Sequence, residues 1–182
     1  MSRLARRIAA LGCFSAAAIL IWAVGLPERA AYLSPRSFRA GETPIAPEVG
    51  ALAPPLRGLS PTGSPFDLNA YRGTPLILNF WATWCAPCIQ EMPILEKFHQ
   101  RGVMVVGINV GDSPSTILAW AEQYHITFPL VLDPTGQMSR QYRLLGLPAT
   151  FQIDRAGVVR RVKFGALSES ELEDWTDSER QP

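Results

Sequence analysis

Cysteine is scarce in this chain: Cys13, Cys85 and Cys88 are the only three in 182 residues. Three cannot build the multi-bridge framework of a small disulfide scaffold. Histidine is scarcer still, with His99 and His125 alone. A structural zinc site needs four N or S ligands, and there is neither a second C-x-x-C nor a histidine pair at ligand spacing. A charge excess is also lacking. The formal net charge is +1, which gives no electrostatic footprint for nucleic acid. No internal repeat is visible. What the chain has in quantity is apolar residues, 47% against 18% charged. That suits one domain with a real core plus an appendage.

The few charges are unevenly placed. Residues 1–40 hold Arg3, Arg6, Arg7, Arg29, Arg36 and Arg39 against Glu28 alone, so the remainder is mildly acidic. Residues 8–26, IAALGCFSAAAILIWAVGL, carry no charge. As a helix this run is just long enough to cross a hydrocarbon core. The arginines before it predict a cytoplasmic tip and an exported remainder, with Trp22 near the far interface. A cleavable signal peptide has the same layout, and Ala23-Val24-Gly25 would serve as its small-x-small site. The run exceeds the usual apolar core of a signal, which favours an uncleaved single-pass anchor. Either way the domain is exported, to the membrane surface or to the periplasm or medium. Cys13 sits inside the run and reads as a small apolar residue. The expected organisation is a basic tip and membrane segment over 1–26, a Pro-rich tether over 27–47, and an extracytoplasmic domain over 48–182.

Within that domain strand and helix signals alternate. SPFDLNAYR (64–72) reads as a short strand and turn. Leu76–Trp81 is a near-continuous apolar run, as in a strand covered on both faces. Ala86–Arg101 reads as a helix with Pro93 expected to kink it and Gly102 to stop it. Residues 103–110 read as a second buried strand. Asp112 or Ser113 can cap a helix that starts at Pro114. Residues 128–133 form a further strand, followed by a turn at 133–136 and a short helix near 137–142. Residues 149–154 and 158–165 flank a hairpin turn. Ser168 to Trp175 reads as a last helix, with Ser168 and Glu171 at capping-box spacing. This order predicts an α/β sheet that begins with a crossover and ends antiparallel.

WCAPC (84–88) carries the chemistry. Cys85 follows a buried strand and opens a helix, where unpaired N–H groups and the helix dipole favour an anion. Thiolate is the attacking species in disulfide exchange, so Cys85 is the expected nucleophile. Cys88 lies one turn later and can resolve a mixed disulfide. Pro87 suits the first turn. A purely structural role is weak, because closing a four-residue loop restrains little chain entropy.

FWATWCAPC (80–88), with GLPAT (146–150) and FQID downstream, resembles the thioredoxin superfamily. Glu91-Met92-Pro93 makes it similar to the membrane-anchored TlpA/ResA-like branch. The resemblance covers about residues 48–174. It implies a thioredoxin fold, a mixed central sheet flanked by helices, with a strand–helix segment inserted around 110–135. It implies that Pro148 is cis and lies against the cysteine pair, presenting the Leu147 backbone to an extended substrate segment. Trp84 would form an apolar wall beside Cys85, although plain core packing would equally suit a tryptophan. Two positions depart from thioredoxin. Its buried carboxylate is here Asn79, which cannot take a proton from Cys88. The ionisable neighbour becomes Glu91, which would raise the thiol pKa values and relay a proton, unless it is only a solvated helix residue. Ala149 replaces a common threonine, and its lost hydroxyl could alter substrate contacts.

The resemblance thus implies a thiol-disulfide oxidoreductase that needs no cofactor beyond its own Cys85–Cys88 pair. Its partners would be disulfide-bearing proteins, apocytochrome c among them, and a membrane thiol-disulfide electron donor. Uncharged Ala86-Pro87 and acidic Glu91 favour the reducing direction. Two rivals have different signatures. A peroxiredoxin-like thiol peroxidase needs a Thr and Arg beside its cysteine. A Sco-type copper-binding protein uses C-x-x-x-C and a distal His.

Overall fold

The computed structural model describes residues 43–178. The expected membrane segment, Cys13 and most of the tether lie outside that range. Among the described residues no helix is long and apolar enough to cross a membrane.

Among the described residues seven strands and four α-helices follow one another: β1 (Arg57–Leu59), β2 (Pro65–Asp67), β3 (Leu76–Trp81), α1 (Ala86–Gln100), β4 (Met104–Val110), α2 (Pro114–Gln123), β5 (Leu130–Asp133), α3 (Gln137–Gln141), β6 (Ala149–Ile153), β7 (Val159–Phe164) and α4 (Glu169–Ser178). Five of the strands form a mixed sheet in the order β5-β4-β3-β6-β7. β3, β4 and β5 run parallel, while β6 and β7 are antiparallel to their neighbours. Both crossovers step the same way across the sheet, from β3 to β4 to β5. One handedness therefore puts α1 and α2 on one face.

The strand β3 shows why this sequence makes a central strand. All six of its residues are buried. Leu76, Leu78 and Phe80 enter one core with Tyr142, Phe151 and Val159, beneath the β1–β2 hairpin and α3. Ile77 and Trp81 enter the other, with Met92, Leu95 and Phe98 of α1, Trp120 of α2, and Leu172 and Trp175 of α4. Side chains alternate across a strand, so Asn79 also faces the α1 side. On β4, a Cβ at Gly107 would lie 3.0 Å from the Trp81 indole nitrogen and 2.9 Å from Leu130. A side chain there would force Leu130 or the aromatic rings to shift.

The helices begin and end much as their signals suggest. Pro93 lies inside α1, and the helix continues through it to Gln100. It stops in a Schellman turn: Gly102 (φ +91°) donates to the His99 carbonyl and Val103 to the Phe98 carbonyl. Ser113 caps α2 through the Thr116 N–H. Asp112, the other candidate cap, does different work described below. Ser168 and Glu171 form the expected capping box: the Ser168 N–H donates to Glu171 at 2.9 Å, and the Glu171 N–H to Ser168 Oγ at 3.3 Å.

The 64–72 segment is the expected short strand and turn, a three-residue strand followed by a 3-10 turn, Leu68–Tyr71. Three features depart from expectation. The antiparallel partner of that strand, β1, carries no alternating pattern long enough to announce it. The tether's last residues join the domain: Leu52 donates to the Pro44 carbonyl, Ala46 donates to the Leu52 carbonyl, and Pro47 is buried. Residues 110–135, where the added segment was expected, form α2 and β5 in that order, and β5 lengthens the sheet at its edge.

Candidate functional site

Cys85 is the N-cap of α1 and is joined to Cys88 by a disulfide. The Cys88 N–H donates to the Cys85 sulfur at 3.3 Å. A sulfur at this position meets the unpaired donors of the first turn and the positive end of the dipole. Cys85 is 5% exposed and Cys88 is not exposed at all. The first sulfur is thus the one an incoming molecule reaches.

The loop that delivers Cys85 is clamped from behind. The Thr83 N–H and hydroxyl donate to the two oxygens of Asp112, at 2.8 and 2.9 Å. Buried Asn109 adds its side-chain amide to Asp112 Oδ2 at 2.8 Å and accepts the Asp112 N–H at 3.1 Å. The next turn closes where the Cys85 N–H donates to the Ala82 carbonyl. Sequence reading did not find this clamp. Asp112 was legible only as a cap, because its real partner lies 29 residues upstream.

Trp84, inside that turn, is 70% exposed. It is not a core residue. The Leu147–Pro148 bond is cis. Pro148 is buried, and half-buried Leu147 packs against the cluster that holds both cysteines. The Pro148 carbonyl accepts the Gly165 N–H. Two further apolar residues flank this loop and were not singled out from sequence. Leu145 is largely exposed, and Phe164, paired with Ala149 across β6 and β7, is half open. The GLPAT motif pointed to the first; nothing short of strand register pointed to the second. Ala149 itself is fully buried in the core away from α1. Its missing hydroxyl therefore faces the interior, not a substrate.

Glu91 is 1% exposed, which excludes a solvated helix residue. Each of its oxygens accepts one donor: Oε1 the Asn79 side-chain amide at 2.5 Å, Oε2 the Leu167 N–H at 2.7 Å. The Asn79 amide also donates to the Thr150 hydroxyl at 2.9 Å. Burial pushes the Glu91 pKa up to about 7, and the two donors only partly offset it. A carboxyl so placed changes protonation near neutrality, as a proton relay requires.

Both histidines have other duties. His99 Nδ1 lies 3.2 Å from the Val103 carbonyl at the foot of α1. His125 takes a positive φ just past α2. Among the described residues no three His, Cys, Asp or Glu side chains gather as metal ligands. A cleft of about 720 Å³ between β1, β5 and α3 contains none of the residues named at the cysteine pair.

Residues 49–162 match the AhpC/TSA family. The thiol-disulfide oxidoreductase ResA of Geobacillus kaustophilus is 34% identical over 141 residues, which span 75% of this chain and 80% of that protein. The thiol:disulfide interchange protein DsbE of Pseudomonas fluorescens is 37% identical over 99 residues, 54% of this chain and 56% of that protein. A solved structure of a thiol:disulfide interchange protein of the thioredoxin family from Chlorobium tepidum superposes with a TM-score of 0.62 at 28% identity. It covers 70% of this chain and 94% of that one. With the C-x-x-C pair at the head of α1 and a cis peptide bond at Leu147–Pro148, the chain belongs to the thioredoxin-like AhpC/TSA family as a ResA-like thiol-disulfide oxidoreductase.

Proposed function

We propose that the domain works outside the cytoplasm as a reductant of protein disulfides, with Cys85 as nucleophile, Cys88 as resolving thiol and Glu91 as proton relay. The observation that carries this reading is the asymmetry of the pair: one sulfur faces outward at a helix N-terminus, the other is sealed on the helix that bears a buried carboxyl. The Cys85 thiolate attacks a substrate disulfide, forming a mixed disulfide and expelling one substrate thiolate, which takes up a proton. Cys88 then gives its proton to Glu91 and attacks the Cys85 sulfur. The second substrate thiol leaves, two electrons have passed to the substrate, and Cys85–Cys88 is oxidised. A membrane thiol-disulfide donor re-reduces it. No cofactor takes part.

Two features favour this direction. Strong oxidants stabilise a thiolate, and no basic residue stands at Ala86-Pro87 to do so. An ionised Glu91 disfavours thiolates nearby by like-charge repulsion, which favours the oxidised pair and makes the dithiol more reducing. Trp84, Leu145 and Phe164 expose apolar surface that suits an extended polypeptide, which on this reading pairs with the Leu147 backbone. The relatives' names support disulfide-bearing proteins as substrates, with apocytochrome c as one candidate. The uncharged run at 8–26 supports anchoring in the membrane with the domain outside.

Trapping tests the assignment. Cys88→Ser should accumulate mixed disulfides through Cys85, to be identified by mass spectrometry, and Cys85→Ser should not. Equal trapping by both variants would reverse the roles. A pair potential near roughly −120 mV, the strongly oxidising end, would overturn the reducing direction.

A further inference from the structure

Asn79 is buried, and its amide is shared between two hydroxyl-bearing or carboxyl neighbours on the side of its nitrogen, while its oxygen has no partner. A buried acceptor left unpaired is costly and calls for an explanation. We propose that Asn79 is a positioning residue for the thiol-disulfide reaction: its amide donates to ionised Glu91 and, turned by half a rotation, accepts the proton of Glu91 as a carboxylic acid. This rests on the reading of Glu91 as proton relay.

The geometry limits where that proton goes. Glu91 Oε2 faces the Leu167 N–H at 2.7 Å, a backbone donor that cannot become an acceptor. A proton on Glu91 therefore sits on Oε1, facing the Asn79 nitrogen at 2.5 Å. Two donors would then oppose each other. Rotation of the amide brings Oδ1 to that place, where it accepts from Glu91. The Thr150 hydroxyl, which accepts from the amide in one state, can donate to Oδ1 in the other, because a hydroxyl does either. One amide atom is unpartnered in each state: the oxygen before rotation, the nitrogen after it. Each state keeps one bond to Glu91, but the bond to the anion is charge-assisted and the stronger of the two, and the carboxyl need not move. An aspartate here would add a second acid, and an apolar residue would offer nothing to the anion.

The charged surroundings do not compete for this role. Strands β3 (LILNFW) and β6 (ATFQI) contain no titratable residue. Leu167 contributes only its backbone. On the helix of Glu91 itself, Cys85 and Cys88 are joined as a disulfide. Lys163, opposite Thr150 on β7, is the nearest cation on that face by register, and it is paired with Glu171 at α4. No charged neighbour figures among the causes of the raised Glu91 pKa.

The test is an NMR titration of the oxidised full-length chain. The Glu91 carboxyl carbon and the Asn79 side-chain amide should titrate together, with one midpoint near 7. Asn79→Leu, close in volume, removes a donor that stabilises the anion. The neutral acid is then favoured and the Glu91 midpoint should rise by roughly one to two pH units. The pH profile of disulfide reduction should shift upward with it. An Asn79 amide signal that stays constant while Glu91 titrates would overturn the proposal, as would an unmoved midpoint in Asn79→Leu. If that variant does not fold, the wild-type titration alone decides. Loss of the relay reading shows elsewhere, as unchanged turnover in Glu91→Gln. Loss of the amide assignment shows only in the titration.

Discussion

A glutamate with 1% of its surface exposed stands a few residues from a tryptophan with 70% exposed. Residue type alone ranks them the other way round, and both lie close in sequence to the cysteine pair. Glu91 is tolerable inside because two donors meet its oxygens. Its place near the cysteines was legible from spacing; its burial was not, because Leu167 lies 76 residues downstream. Trp84 was legible as a wall beside Cys85 but equally as core, since nothing in WCAPC says which way the indole turns. In the fold the indole is exposed, beside the Thr83 that Asp112 clamps. Exposure has a testable consequence. Trp84→Ala should leave stability within about 0.5 kcal/mol and lower kcat/KM for a protein disulfide roughly tenfold. With a small-molecule disulfide, which has no chain to lie on the indole, the rate should stay near wild type. An equal loss with both substrates would mean that Trp84 acts on the sulfur itself.

At the scale of elements, the local signals were the most readable. Ser168 and Glu171 announced a capping box, Gly102 a helix stop and Pro114 a helix start, because each is a short-range exchange of backbone partners. The hairpin β1–β2 was missed, since two three-residue strands carry too little alternation to count. The capping box also reaches Glu91. It orders the first turn of α4 immediately after Leu167, whose N–H holds Glu91. Ser168→Ala should therefore have two effects. Loss of the cap should cost about 1 kcal/mol in chemical denaturation. A looser Leu167 amide stabilises the carboxylate less, so the acid-base midpoint of Glu91 should rise. A change in stability alone would show that the cap and the site are independent.

Across the whole molecule, burial of one carboxyl ties stability to pH. The folded pKa of Glu91, about 7, stands above its ordinary value of 4.5. Folding therefore favours the protonated form. Its contribution is full below about 4.5 and is lost as pH rises through about 7, on the order of 3 kcal/mol in all. Glu171 works in the opposite sense. Lys163 and Ser168 hold its pKa down to about 2, so its contribution is lost as pH falls below 4.5 towards that value. Denaturation of the oxidised protein between about pH 5 and 8 should show falling stability in the wild type and a much flatter course in Glu91→Gln. An equal slope in both would place the titrating group elsewhere. The parallel-then-antiparallel order of the sheet was legible from alternating strand and helix signals. Which residues meet across it was not, because Asn79, Glu91 and Thr150 come from three separate elements and Leu167 from the loop before α4. That separation sets an order of events during synthesis. Cys85 and Cys88 leave the ribosome well ahead of Leu167, and any export of a growing chain would present them first. Until the last stretch arrives and folds, Glu91 lacks the Leu167 N–H that holds it, and on the proposed reading the pair would be an ungoverned dithiol. On that reading the domain would gain its redox character only when its C-terminal helix docks.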